Sequence, residues 1–152
     1  GISPVFKLLQ MGVNVGLGTD GCASNNDLDL FGEMDSCAKL QKVANMDTTA
    51  LSARSALKMA THNGAKALGL GDRIGEISPG KLADVIVLDF RKPHLVPLYE
   101  PTSQLVYACR GADVRHSIIH GRLVMKDRRL LSMDVNEVMD HVRKFSQIIK
   151  PY

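Results

Sequence analysis

Asp20 is the residue best placed to do chemistry in this chain of 152 residues. It lies in the stretch Gly12-Val-Asn-Val-Gly-Leu-Gly-Thr-Asp20-Gly-Cys-Ala-Ser-Asn-Asn26, at the point where an apolar strand pattern stops. A carboxylate at such a strand lip can ligate a metal ion, move a proton or touch a substrate. Gly16, Gly18 and Gly21 surround it with little side chain, so backbone or ligand can come close and the turn can take positive φ. The same residues also fit a plain turn in which an Asp before Gly caps its own backbone. Asn25 and Asn26 border this stretch, and their types alone fix no role for them.

A second chemistry can be spelled from the same letters. Gly16-x-Gly18-x-x-Gly21 matches the glycine fingerprint that cradles a pyrophosphate. That fingerprint needs a helix opening at its third glycine and an acidic residue closing a second strand about 20 residues on. Here Gly21 leads into Cys-Ala-Ser-Asn-Asn before any helical pattern, and Asp20 would set a negative charge beside the phosphates. The sequence therefore argues against a dinucleotide cofactor. Cys22, close to Asp20, reads as a small buried residue.

The composition excludes several other partners. No apolar run approaches the roughly 20 residues needed to cross a bilayer, so no membrane role is expected. A net charge of +3 is spread along the chain, and its densest cluster, Lys126-Asp-Arg-Arg129, is broken by an acid and lacks interleaved aromatics. Nucleic acid is not an expected partner. The three cysteines, Cys22, Cys37 and Cys109, are odd in number and widely spaced, which fits reduced thiols and a cytoplasmic location. The chain also opens in mid-pattern, running straight into a helix, as the later part of a larger protein would.

The elements that must hold Asp20 follow in order. Ser3-Pro4 can start a helix that Gly12 ends, and Val13, Val15 and Leu17 predict the strand leading to Asp20. Asn25 or Asn26 is the expected cap of a helix with Leu30, Met34, Cys37 and Val43 on its apolar side. Its acids, Asp27, Asp29, Glu33 and Asp35, read as a solvated face. Thr48, Thr49 or Ser52 opens further helix up to a break at Asn63-Gly64, followed by a short helix over Ala65 to Leu70. His62, near a helix end, reads as capping or packing.

From Gly75 the texture becomes mainly β. Ile77, the Ser78-Pro-Gly-Lys81 turn and Val85 to Leu88 predict a hairpin-like pair with a buried second strand. Prolines make 91–101 an irregular crossing, Thr102 to Cys109 fits a short helix, and Val114–Ile119 and Arg122–Met125 are strands joined at His120-Gly121. On an extended chain His116 and His120 stand about 13 Å apart, at about 3.3 Å per residue, too far to share an ion. Ser132 is the expected cap of an amphipathic helix carrying Val135, Val138, Met139, Val142, Phe145 and Ile149, with His141 on its polar side.

Four of these stretches together resemble the C-terminal part of an amidohydrolase-superfamily enzyme, nearest to the methylthioadenosine/S-adenosylhomocysteine deaminase group and the chlorohydrolase-like enzymes. They are Val13 to Gly21, Ser24-Asn-Asn-Asp-Leu-Asp29, Ala60-Thr-His-Asn-Gly-Ala-Lys-Ala-Leu-Gly69, and Ile74-Gly-Glu-Ile-Ser-Pro-Gly-Lys-Leu-Ala-Asp84 through Asp89. The resemblance implies an α/β fold, the last strand and helices of a (β/α)8 barrel with strands of an accompanying β-sandwich. Residues 1–74 would close the barrel, 75–131 would supply sandwich strands with one short helix, and 132–152 would form the C-terminal helix. Asp20 would then stand at the barrel's C-terminal face, where such barrels keep their active sites.

The resemblance further implies a divalent metal, usually zinc, that lowers the pKa of a bound water. The Asp at the Asp20 position would ligate the metal, accept the water's proton and lie against the substrate. Water attacks the amidine carbon of a purine nucleoside and ammonia leaves. The family's other metal-binding and catalytic residues match none of the five histidines here, so the site would be incomplete in this chain. The expected partner is the missing N-terminal part, and the complete enzyme is expected to be a homo-oligomer. Other readings are a hydrolase of another aminated or halogenated heterocycle, such as guanine or a triazine, and a non-enzymatic α+β module.

Overall fold

A computed structural model describes residues 1–149, so the last three positions of the expected C-terminal segment 132–152 lie outside the described residues. Helix α1 (Val5–Gln10) opens the chain, with Pro4 rather than Ser3 at its capping position. Ser3 contributes its carbonyl, which accepts the Val5 N–H at 2.8 Å and the Gln41 Nε2 donor at 2.9 Å. Gln41 also accepts the Phe6 N–H at 3.0 Å. A buried amide is thereby satisfied at both ends, and it ties α1 to the next long helix.

A one-turn helix, α2 (Cys22–Asn25), follows Asp20, and the long helix α3 (Leu30–Asn45) comes next. Asp29 caps α3 by accepting the Phe31 N–H, so neither Asn25 nor Asn26 does so. The expected apolar side holds at Met34, which is buried, and Cys37, which packs against the core, but Phe31, Ala38 and Gln41 are buried too and Val43 is 66% exposed. Nor are the four acids of this region a uniform solvated face. Asp27 accepts the Asp29 N–H, Asp29 and Glu33 accept from Gly111 and Asn25, and Asp35 pairs with Lys39 and Arg110.

Ser52 caps α4 (Ala53–Lys58), accepting the Ser55 N–H at 3.1 Å. The expected break at Asn63-Gly64 does not occur. Met59–Asn63 forms a π-helical turn and α5 (Gly64–Ala67) continues directly, with Gly64 itself right-handed helical. Gly64 is there for space: a Cβ on Gly16 would lie 3.1 Å from the Gly64 Cα, so the two backbones touch where side chains would keep them apart.

Met34, Leu51, Met59, Leu95 and Val106 centre the core, which α3, α4 and α6 (Pro101–Tyr107) enclose. Beyond α5 the chain forms a loop, not the expected strand at Ile77: the Leu82 N–H returns to the Arg73 carbonyl at 2.8 Å, and Lys81 Nζ reaches the Gly71 carbonyl. Strand β1 (Val85–Leu88) instead pairs antiparallel with β2 (Val114–Ile119), and β2 pairs with β3 (Arg122–Lys126). β1 is half-exposed rather than buried, with Ile86 and Val87 open to solvent. The β2–β3 turn is made by His120 and Gly121, both at positive φ, as a two-residue hairpin requires.

A short fourth strand, β4 (Arg129–Leu130), completes the antiparallel sheet β1-β2-β3-β4. It was not foreseen, because its turn is Asp127-Arg128, two non-glycine residues at φ 47° and 67°. Tertiary bonds hold that turn: Arg115 Nε donates to Asp127, and Arg128 Nη1 donates to the Gly111 and Val114 carbonyls. The irregular crossing 91–101 is anchored to the sheet through Asp113, only 2% exposed, which accepts from Lys92 Nζ at 2.7 Å, His94 Nε2 at 3.1 Å and the Arg110 N–H at 2.9 Å. Burial alone would raise the Asp113 carboxyl's pKa, but these donors hold it down at about 2.

Helix α7 (Val135–Ile148) ends the described chain, capped by Asp134, not Ser132. Its apolar stripe is as expected in sequence, yet among the described residues nothing covers it: Phe145 is 66% exposed and Ile148 76%. No helix among the described residues is long and apolar enough to cross a membrane.

Candidate active site

Val13 to Leu17, expected as a strand, belongs to no sheet, because no described segment lies beside it to form a ladder. Helices hold it instead. The Val13 N–H donates to the Leu8 carbonyl at 3.0 Å and the Leu17 N–H to the Met59 carbonyl at 3.2 Å. Asn63 Nδ2 donates to the Val15 carbonyl at 3.1 Å, and Asn14 Nδ2 returns a bond to the Asn63 carbonyl at 3.0 Å. These side-chain amides stand in for ladder partners and fix where the segment ends.

It ends at Asp20, exposed and at φ 58°. Asp20 Oδ1 accepts the Gly21 N–H at 2.7 Å, so the self-capping turn is real. Among the described residues Oδ2 accepts no hydrogen bond, so one oxygen holds the turn and the other is available. Cys22, two residues on, is exposed rather than buried. A helix does open after the third glycine of the fingerprint, contrary to expectation, but α2 is one turn long and Gly16 is spent on contact with Gly64.

Sequence reasoning missed what surrounds Asp20. Asn25 Nδ2 donates both to the Thr19 carbonyl at 2.7 Å and to Glu33 Oε1 at 2.8 Å, joining the residue before Asp20 to the first turn of α3. Neighbouring Asn26 has another task, ending α2 in the left-handed conformation at φ 66°. The adjacent pair Asn25-Asn26 was visible in the sequence, but its partners were not.

The histidines stay apart from this site. His116 Nδ1 accepts the Asp127 N–H at 3.2 Å, the His120 N–H donates to Asp84 at 2.6 Å, and His62 lies 3.8 Å from Glu76. Among the described residues no three His, Cys, Asp or Glu side chains gather closely enough to hold an ion. Asp20 fits the part of one ligand, since its oxygen chemistry suits a divalent metal and its second oxygen is free. It cannot be a whole site.

The described chain is thus a mixed α/β structure in which helices and one antiparallel sheet frame an exposed Asp20. Residues 1–124 match the amidohydrolase family, and the chain belongs to that family. It is 68% identical over 151 residues to a 5-methylthioadenosine/S-adenosylhomocysteine deaminase of Syntrophobacter fumaroxidans, covering 99% of this chain and 34% of that protein. A 5'-deoxyadenosine deaminase of Methanosarcina acetivorans is 52% identical, covering 94% of this chain and 33% of the relative. The crystal structure of an adenosine deaminase from Xanthomonas campestris with bound zinc superposes with a TM-score of 0.94 at 41% identity, over 97% of this chain and 34% of that one. The chain thus spans about a third of the length of the relatives it matches.

Proposed function

We propose that this chain forms the C-terminal third of a metal-dependent hydrolase that deaminates 5'-modified adenosines such as 5-methylthioadenosine and S-adenosylhomocysteine. One observation carries the reading: Asp20 is held out at the end of its segment with Oδ1 committed to the Gly21 N–H and Oδ2 free. The names of the two relatives share an adenosine base and differ at the 5' position, which puts the common chemistry at the purine amine.

In this reading Asp20 contributes one ligand to a divalent ion, zinc by similarity to the Xanthomonas campestris enzyme, and the remaining ligands come from the other two-thirds of the protein. A divalent ion so held would make its bound water acidic enough to ionise near neutral pH. The Asp20 carboxylate takes one proton from the attacking water, the water oxygen bonds to the amine-bearing ring carbon, the water's other proton passes to the ring nitrogen, and the carbon–nitrogen bond breaks. The proton taken by Asp20 is then available to the departing ammonia. The Gly21 N–H confines the carboxylate to its turn through Oδ1. The reading includes a cytoplasmic, homo-oligomeric complete enzyme, for which the free thiols of Cys22, Cys37 and Cys109 speak as to compartment.

The test is ammonia release from 5-methylthioadenosine with zinc, comparing this chain alone, the chain joined behind the upstream residues of the Syntrophobacter fumaroxidans relative, and the same fusion carrying Asp20→Ala. Activity is expected in the fusion alone. Full activity from the isolated chain, or from the Asp20→Ala fusion, would overturn the proposal.

A further inference from the structure

We infer that Asn25 is a positioning residue for Asp20, an inference that rests on the proposed role of Asp20 as ligand and proton acceptor. The Thr19 carbonyl belongs to the peptide plane that joins Thr19 to Asp20. Rotation of that plane changes the φ of Asp20, and with it the direction of the carboxylate. Asp20 sits at φ 58°, a left-handed conformation that an Asp reaches with help from a local bond, here Oδ1 to the Gly21 N–H, and that its surroundings must still favour.

The enforcing contact is the Asn25 amide. Its two Nδ2 protons are both used, one on the Thr19 carbonyl at 2.7 Å and one on Glu33 Oε1 at 2.8 Å. Both partners are acceptors, so the amide must present its NH2 and not its oxygen. Glu33 stands in the first turn of α3, next to the buried Met34, which gives the amide an anchor on the core. The path runs from core helix to Glu33, to Asn25, to the peptide plane ahead of Asp20. An Asp in place of Asn25 would set a carboxylate against two acceptors, and an Ala would leave the Thr19 plane unbraced. Asn26 offers an internal contrast: it is exposed, caps α2 by backbone conformation, and Gly can replace it there.

The experiment uses a full-length enzyme in which this chain follows the upstream residues of the Syntrophobacter fumaroxidans relative, with Asp20→Asn as the reference for loss of the ligand. Four quantities are read: kcat and KM for deamination, zinc loss to a competing chelator, and Tm. Asn25→Ala should lower kcat and zinc retention by about 10-fold to 100-fold with KM unchanged, the size seen when a partner of a metal ligand is removed. Glu33→Gln keeps an acceptor oxygen and should restore wild-type behaviour, Glu33→Ala should fall between, and Asn26→Gly should match wild type. Wild-type kcat and zinc retention in Asn25→Ala, alongside their loss in Asp20→Asn, would overturn the positioning role alone. If Asp20→Asn keeps both, the proposed function itself fails. Should Asn25→Ala not fold, Glu33→Ala carries the test, and wild-type kcat in that variant overturns the inference.

Discussion

Asp29 reaches across 82 residues of sequence to Gly111: its Oδ2 accepts the Gly111 N–H at 2.8 Å while its Oδ1 caps α3 on the Phe31 N–H at 3.0 Å. One carboxylate thus starts the long helix and pins it to the turn that leads into β2. The site helices and the sheet are joined at this point.

Replacing Asp29 separates the two tasks. Asp29→Asn keeps a capping oxygen but turns a donor towards the Gly111 N–H, whereas Asp29→Ala removes both bonds. Each bond is worth about 1 kcal/mol, so urea unfolding should show a loss of about 1 kcal/mol for Asn and about 2 kcal/mol for Ala. Equal losses would mean that the Phe31 cap contributes nothing, and no loss in Asp29→Asn would mean the same of the Gly111 bond.

Asp113 makes a pH prediction. Its carboxyl is held down at about 2 in the folded chain, below the usual Asp value. A depressed carboxylate adds stability that is present above its unfolded pKa and lost as pH falls through the folded one. Tm should therefore drop as pH is lowered from about 4 towards about 2, and Asp113→Asn, destabilised by about 2 kcal/mol at neutral pH through its stranded Lys92 and Arg110 donors, should flatten this part of the profile. A profile with the same slope in Asp113→Asn would place the acid sensitivity elsewhere.

Gly75 and Gly80 make a matched pair for backbone strain. Both have positive φ, but a Cβ on Gly75 would meet the Ala65 Cβ at 2.7 Å while one on Gly80 meets nothing within 4 Å. Gly80→Ala should cost about 1 kcal/mol from conformation alone, and Gly75→Ala more than about 2 kcal/mol because overpacking is added. Thermal melts of the two variants decide it, and similar Tm values would remove the close approach as a constraint.

The stripe on α7 predicts how the chain behaves by itself. Val142 and Phe145 are both more than 60% exposed, an apolar surface that soluble monomers rarely leave open. Light scattering on the isolated chain should give a mass above 16.6 kDa that rises with concentration, and Val142→Glu with Phe145→Glu should lower it. An unchanged mass in the double variant would show that α7 is not the contact.

The turn at Asp20 and the helices before and after it were legible because glycine spacing and helical periodicity are local signals, whereas the strand expected from Val13, Val15 and Leu17 found no partner. The β2–β3 hairpin was legible for the same reason. What the sequence could not show were choices made between distant segments. Asp29 took the cap from Asn25 and Asn26 because Gly111 offers it a second bond, and Gly64 stayed helical because Gly16 needs the space. Ile77 lost its strand because β1 found β2 as a partner instead. The Asp127-Arg128 turn was invisible since its positive φ is held by Arg115 and by the Gly111 and Val114 carbonyls, not by its own residue types.

The π-helical turn at Met59–Asn63 also keeps count. By widening one turn it lets the Met59 carbonyl receive the Leu17 N–H. Removing one residue there would return the rod to regular α geometry with its far end close to its present phase, since four residues at about 100° each cover the rotation that the five of the wider turn cover. Gly64 would go on facing Gly16, but the Met59 carbonyl would return to the helix ladder and the Leu17 N–H would lose its acceptor. A deletion in this turn is thus felt in the segment that leads to Asp20 before it is felt in the rod.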